Sequence, residues 1–264
     1  MLRYNPEALT ALSLASLKTH EDAVAAKATR AEKIDEAGRL FKRKTPKSAF
    51  DEVKAKLRAV SPPGRACFYC ERDRYRDIDH IRPKRHYPEQ CFHWANYVFA
   101  CAICNQDAKG DRYAVFGVGD QIIEFNRQWP KSDPPPVGDP VPIDPRAEDP
   151  LDHIKLDLLT GIPTPIELAN RSYSRARYTI DLFKLDADDL TRIRRQAFAS
   201  FVQYLELFAE ALEAADAARA ARVLRELTEL PYPTVLVEMR RQAEDFPRLA
   251  ELFNLVPPQV GSRP

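Results

Sequence analysis

The sequence predicts an α+β protein, mostly α, in which a small zinc-stapled segment is embedded between N-terminal and C-terminal helical segments. Three observations carry this expectation. Apolar residues recur at helical spacing towards both ends of the 264-residue chain. Two C-x-x-C pairs, Cys67–Cys70 and Cys101–Cys104, flank a stretch rich in aromatic residues and histidine. Between that stretch and the second helical segment, ten of the 22 prolines fall between Pro130 and Pro165.

The first segment, residues 1–60, reads as helices from about residue 7 to 59. Ile34, Ala37, Leu40 and Phe41 share a face, and Phe50, Val53 and Leu57 continue the pattern until Ser61-Pro62-Pro63-Gly64 ends it. Asn5 is the expected cap of the first helix, with Pro6 at its first position. Ala8 to Leu17 faintly resembles a signal-peptide core, but it follows Glu7 and has no basic leader beyond Arg3, so a helix is expected there. No run of eighteen apolar residues occurs, so no membrane span is expected, and a cytoplasmic location follows.

Residues 61–116 carry the chemistry. Two residues between cysteines let both thiolates reach one ion, and two such knuckles make a tetrahedral four-cysteine zinc site with no open position. That zinc would be structural. Cys91, the fifth cysteine, has no partner at knuckle spacing and reads as a small core residue. An odd cysteine count and this spacing argue against a disulfide framework and for a reducing compartment. His86 and His93 read as surface or packing residues.

Residues 117–166 form a proline-rich connector with short strands, for which Ile122 to Phe125 and Ile154 to Leu158 are the candidates. Asp144, Asp149 and His153 lie here. They are turn formers or a second acidic-plus-histidine cluster, and their role stays open. In residues 167–264 the helical pattern returns. One long run from Ala187 to about Ala218 is lined by Phe198, Phe201, Val202, Leu205 and Phe208, and a further helix is expected from about Tyr232 to Phe246.

Between the knuckles, Asp77-Ile-Asp79-His80-Ile81-Arg82-Pro83-Lys84 sets a carboxylate beside a histidine. Adjacent strand residues face opposite ways unless a turn or bulge brings both to one site, and Pro83 favours such an end to the strand. Asn96 follows His80 by sixteen residues, Asn105 follows Cys104 directly, and Lys109 lies four further on. Taken singly, an Asp-His pair, a turn asparagine and a capping asparagine are ordinary. Their joint placement around a four-cysteine staple is what points to a site.

This pattern, D-I-D-H-I-R-P with an asparagine sixteen residues on and C-x-x-C-N-x-x-x-K, resembles the HNH, or ββα-metal, endonucleases. The resemblance implies a ββα-metal core that hydrolyses phosphodiester bonds, with DNA ahead of RNA as substrate. It implies His80 as general base, Asp79 and Asn105 as ligands of a catalytic Mg²⁺ or Mn²⁺, and Asn96 as the residue that orders the loop. Neutral His80 can take a proton from water near pH 7. Lys109 would neutralise a phosphate oxygen or pair with Asp111. Arg82, Lys84, Arg85 and Lys109 are the expected nucleic-acid contacts. Seven basic residues against four acidic ones between Arg65 and Arg85 give the local excess that phosphate needs, although the net charge is only +1. Arg171, Ser174, Arg175 and Tyr178 share a helix face that is either a second backbone contact or a solvated surface.

Cys70-Glu71, I-D-H-I-R-P-K with Tyr87-Pro88, Phe92-x-Trp94-x-Asn96, Ile143-Asp144-Pro145 and Arg177 to Leu185 resemble the PtuB-like HNH proteins of Septu and retron antiphage systems, over about residues 65 to 200. That resemblance implies a bacterial defence effector working with a separate ABC/AAA-like ATPase, since no G-x-x-x-x-G-K-[ST] occurs in this chain. The alternatives are a catalytically inactive zinc-stapled module that binds nucleic acid or protein, and an adaptor whose helices assemble an ATPase complex.

Overall fold

The computed structural model describes residues 1–63, 66–72 and 77–263. Gly64 of the helix stop, and Arg65, Arg74 and Arg76 among the seven basic residues counted above, lie outside the described residues. The chain begins with α1 (Ala11–Ala25), α2 (Arg30–Arg43) and α3 (Lys47–Ala59), which pack together on the faces that periodicity marks. Ile34, Ala37, Leu40 and Phe41 are buried on α2, and Ala49, Phe50, Val53 and Leu57 on α3. A capping box between Thr29 and Glu32 starts α2, and Lys44 in the left-handed region (φ 48°) ends it.

The cap expected at Asn5 is not used. Thr10 caps α1 through Ser13 N, and Thr10 is itself held by Glu52 of α3, which accepts from its N–H at 2.8 Å and its hydroxyl at 2.7 Å. A contact 42 residues away in sequence sets the helix start.

Then comes an antiparallel hairpin, β1 (Asp77–His80) with β2 (Tyr97–Ala100), followed by a single-element π-helix, Ile103–Lys109. A second hairpin pairs β3 (Tyr113–Phe116) with β4 (Ile122–Phe125), so the expected boundary after residue 116 falls inside it. β5 (Ile154–Leu156) pairs with β6 (Pro163–Pro165), where proline closes the ladder at an edge.

The remainder is helical: α4 (Asn170–Phe183), α5 (Asp188–Glu213), α6 (Ala217–Glu229), α7 (Pro233–Arg241) and α8 (Pro247–Leu255). The long run expected from Ala187 to Ala218 breaks. Ala215 turns left-handed (φ 53°) and Asp216 caps a new helix through Arg219 N at 2.9 Å, so the run folds back as an α5–α6 pair. The helix expected from Tyr232 to Phe246 likewise stops at Arg241, and α8 follows. Helical periodicity continues across both breaks, which is why spacing missed them. Apolar side chains from all four sequence segments join one contiguous core, from Met1 and Leu2 through Phe68, Phe99 and Ile143 to Phe201 and Val260.

Candidate active site

Two tight knuckles meet at the base of the β1–β2 hairpin. In the first, Glu71 N donates to Cys67 O and Cys67 N to Arg72 O, both at 2.9 Å. In the second, at the end of β2, Asn105 N donates to Cys101 O at 2.9 Å and Cys104 N to Cys101 Sγ at 3.4 Å. The four sulfurs are buried and lie within 4.8 Å of one another, with Cys70 and Cys101 at 3.7 Å. A tetrahedral ion with Zn–S bonds of about 2.3 Å separates its thiolates by roughly 3.8 Å, so the cluster fits a zinc ion. Hydrogen bonding from the neighbouring cysteines, Cys104 foremost, holds the Cys101 thiol below its ordinary range, whereas burial pushes the Cys67 thiol up. An ion bound there would cross-link the two knuckles and have no coordination position left for substrate.

β1 continues as a regular strand to its last residue, with Asp79 opposite Val98 and His80 opposite Tyr97. No bulge brings the neighbouring carboxylate and imidazole together, so they serve opposite faces. On one face, Asp79 is buried. Tyr69, inside the first knuckle, donates its hydroxyl to Oδ2 at 2.8 Å. Lys109 Nζ donates to Oδ1 at 3.0 Å, to Oδ2 at 2.8 Å and to the His80 carbonyl. Lys109 is 2% exposed, and these acceptors satisfy its ammonium. Tyr69 stacks on Phe183 of α4 at 3.9 Å, which fixes this face against the C-terminal helices.

The expected pair of metal ligands does not assemble here. Asn105 donates to Asp77 Oδ2 at 3.2 Å, alongside Gln106 at 2.9 Å, while Lys109 holds Asp79. A hydrated divalent cation at Asp79 would have to displace that ammonium. The arrangement therefore does not fit a catalytic Mg²⁺ held by Asp79 and Asn105. Lys109 also does not pair with Asp111, because its ammonium is taken up by Asp79 and the His80 carbonyl.

On the other face, His80 is 3% exposed and packs edge-on to Phe41 of α2, with centroids 4.4 Å apart, and against Tyr97. Its Nε2 meets the Cys91 carbonyl at 2.9 Å, and Tyr97 donates to the same oxygen at 2.8 Å. A carbonyl can only accept, so Nε2 carries the hydrogen and Nδ1 keeps its lone pair. Burial lowers the His80 pKa well below its ordinary value. Lys84, Lys109 and Lys44 lower it further, and the Cys91 carbonyl opposes them. The ring is neutral at pH 7.

Asn96 builds the loop between the strands. Its Oδ1 accepts from Arg82 N at 2.7 Å, and its Nδ2 donates to Arg82 O at 3.1 Å and Gln90 O at 3.0 Å. This brings the Cys91 carbonyl to His80. Arg146 stacks over Trp94 at 4.4 Å and donates to Tyr97 O at 3.0 Å, securing the hairpin from outside.

The expected basic contacts divide. Arg85 is tied to the carbonyls of Arg127 at 2.7 Å and Trp129 at 3.2 Å, and Arg82 lies over the Tyr87 ring at 5.6 Å. Lys84 lies over Phe41 at 5.7 Å. It also lines an open groove of about 500 Å³ that runs along Asn105 to Arg112 and Asn126 to Gln128. Arg171 and Arg175 are bound to carboxylates and Tyr178 is buried, so that helix face is an ion-paired surface.

The second cluster does not form as a unit. Asp144 and Asp149 accept from the backbone at Arg146 and Leu151, as turn formers do. His153 joins Glu148 at 2.9 Å and Ser172 at 2.8 Å, with Arg175 on Glu148, and so ties β5 to α4. His86 is buried and His93 exposed. Cys91 is buried beside His80, its thiol pushed up to about 12 by burial.

Helical spacing placed Phe41 on a buried face but not against His80, and the sequence reading assigned no place at the site to Lys44 or Tyr69. Only Tyr69 was within reach of it, since it lies inside a C-x-x-C knuckle. No protein-family model matches the chain, and the comparison with curated proteins finds no match.

Proposed function

We propose that the chain is an HNH-type endonuclease that hydrolyses phosphodiester bonds with His80 as general base. The observation that carries this is the His80 imidazole itself. It is neutral, with one nitrogen donating to a loop carbonyl that Asn96 positions and the other left as a lone pair. A hairpin followed by a short helix, closed by four cysteines, holds it in place. Once uncovered, such a ring takes a proton from water at its unbonded nitrogen as the water oxygen bonds to phosphorus. The P–O3′ bond then breaks, and solvent protonates the leaving oxygen. No step is assigned to a divalent cation, because Lys109 holds Asp79. Phe41 covers the ring, so reaction requires the end of α2 to draw aside. Action on DNA ahead of RNA, a defence role and a separate ATPase partner are part of the proposal and rest on the resemblance.

The test is cleavage of plasmid DNA and structured RNA by purified protein, with and without Mg²⁺ or Mn²⁺. His80→Ala should lower the rate by about 10²–10⁴-fold while the chain keeps its circular dichroism, with some fall in melting temperature from the cavity left beside Phe41 and Tyr97. Cleavage at the unaltered rate would remove His80 as base. A second reading, a zinc-stapled binding module without catalysis, draws support from the saturated Asp79 and the covered ring. It predicts binding with intact substrate after prolonged incubation.

A further inference from the structure

The α2–α3 corner carries Lys42-Arg43-Lys44-Thr-Pro-Lys47, four basic residues with no acid among them. It projects a charge onto the site. Lys44 Nζ lies 5.6 Å from the centre of the Phe41 ring and Lys84 Nζ 5.7 Å from the same centre. That ring packs edge-on to His80. Two ammonium groups from segments forty residues apart thus flank the aromatic cover of the imidazole. Their treatment differs from that of three basic residues nearby. Lys47 pairs with Asp51, Arg39 with Glu36, and Arg112 with Glu124. Among the described residues neither Lys44 nor Lys84 has a carboxylate within ion-pair distance. Lys84 also borders the groove along Asn105 to Arg112, where Arg127 is exposed. Lys84 therefore stands between that groove, whose lining also includes Asp107 and Asp111, and the helical corner.

We infer that Lys44 and Lys84 form a phosphate-binding pair, through which the N-terminal helical segment holds the backbone of a nucleic acid beside His80. The inference rests on the nuclease reading and adds to it a binding element on α2. A phosphate at either ammonium gains its charge, and neighbouring phosphates of one backbone meet the two lysines in turn, at little desolvation cost because both side chains are partly exposed. Because Lys44 ends α2 and Phe41 lies one turn before it, such a phosphate would also bear on the cover of the ring.

The test uses the full chain in a His80→Ala background, which prevents turnover, with a fluorescent 20-base-pair DNA duplex and a single-stranded RNA as probes. Affinity is measured by anisotropy across a salt titration. Each phosphate contact contributes about 0.9 to the slope of log affinity against log salt on duplex DNA. Lys44→Gln with Lys84→Gln should lower the slope by about 1.8 and weaken binding on the order of tenfold or more. Lys44→Arg with Lys84→Arg should restore both, and exposed Lys155→Gln should change neither. A double variant that keeps its circular dichroism and the unaltered slope overturns the inference, while cleavage that depends on His80 would still uphold the nuclease reading. Failure of the His80-bearing chain and of the His80→Ala chain to bind either probe overturns the inference as well.

Discussion

The two faces of β1 differ in how they treat charge. On the Asp79 face every charge has its partner: the carboxylate takes Tyr69 and Lys109, and the ammonium is saturated. On the His80 face a polar ring is held neutral in an apolar setting, with one nitrogen bonded and lysines nearby. A buried ion pair whose bonds are all made is a fastener, because moving either member exposes an unpaired charge in low dielectric. A buried neutral imidazole with one nitrogen bonded is held by packing and by a single carbonyl contact, so it can be moved at lower electrostatic cost. Lys109 joins the two faces directly, since it also binds the His80 carbonyl.

Loss of the staple should have the largest effect on this contrast. Cys101→Ser, or stripping with a strong chelator, should unfold the hairpin region and abolish its protection from hydrogen exchange, since structural zinc of this type contributes about 10–16 kcal/mol in small domains. Retained protection with no bound metal would mean that the core alone holds the knuckles. Lys109→Met should come next. It leaves Asp79 buried without its cation and should cost about 3–5 kcal/mol, read as a fall in the denaturation midpoint. A neutral result would show that the ion pair is no fastener.

The smallest effect separates the faces by pH. The His80 pKa is held below its ordinary 6.5 by burial and by Lys84, Lys109 and Lys44. The unfolded chain therefore binds a proton below about pH 6.5 that the folded chain refuses. This contribution to stability is full above that pH and is lost as the pH falls below it. His80→Gln should make the decline of melting temperature from about pH 7 to pH 5 shallower. His86, lowered by burial in the same direction, keeps part of the decline in the variant. Identical pH profiles would mean that His80 is not held neutral by the fold.

The four cysteines were legible because knuckle spacing is a local property, and both pairs meet as that spacing implies. The clamp by Asn96 was anticipated as loop ordering, and its contacts with Arg82 and Gln90 supply the geometry. The Asp79–Asn105 pairing was implied by the family resemblance, but Lys109 holds Asp79 while Asn105 turns to Asp77. The breaks at Ala215 and Arg241 were invisible to periodicity, because polar and apolar spacing continues through them.

By itself, the sequence determined what depends on near neighbours: the helical faces, the knuckles, the turn aspartates and the identity of a histidine at a strand end. Only the tertiary structure decided which partner each polar group found. Thr10 takes Glu52, Asp79 takes Lys109 and His80 lies under Phe41, across 42, 30 and 39 residues of chain respectively. The reason is that a buried polar or charged group must be satisfied by whatever the packed core brings within about 3 Å. Sequence order sets which residues are available, and packing sets which of them arrives.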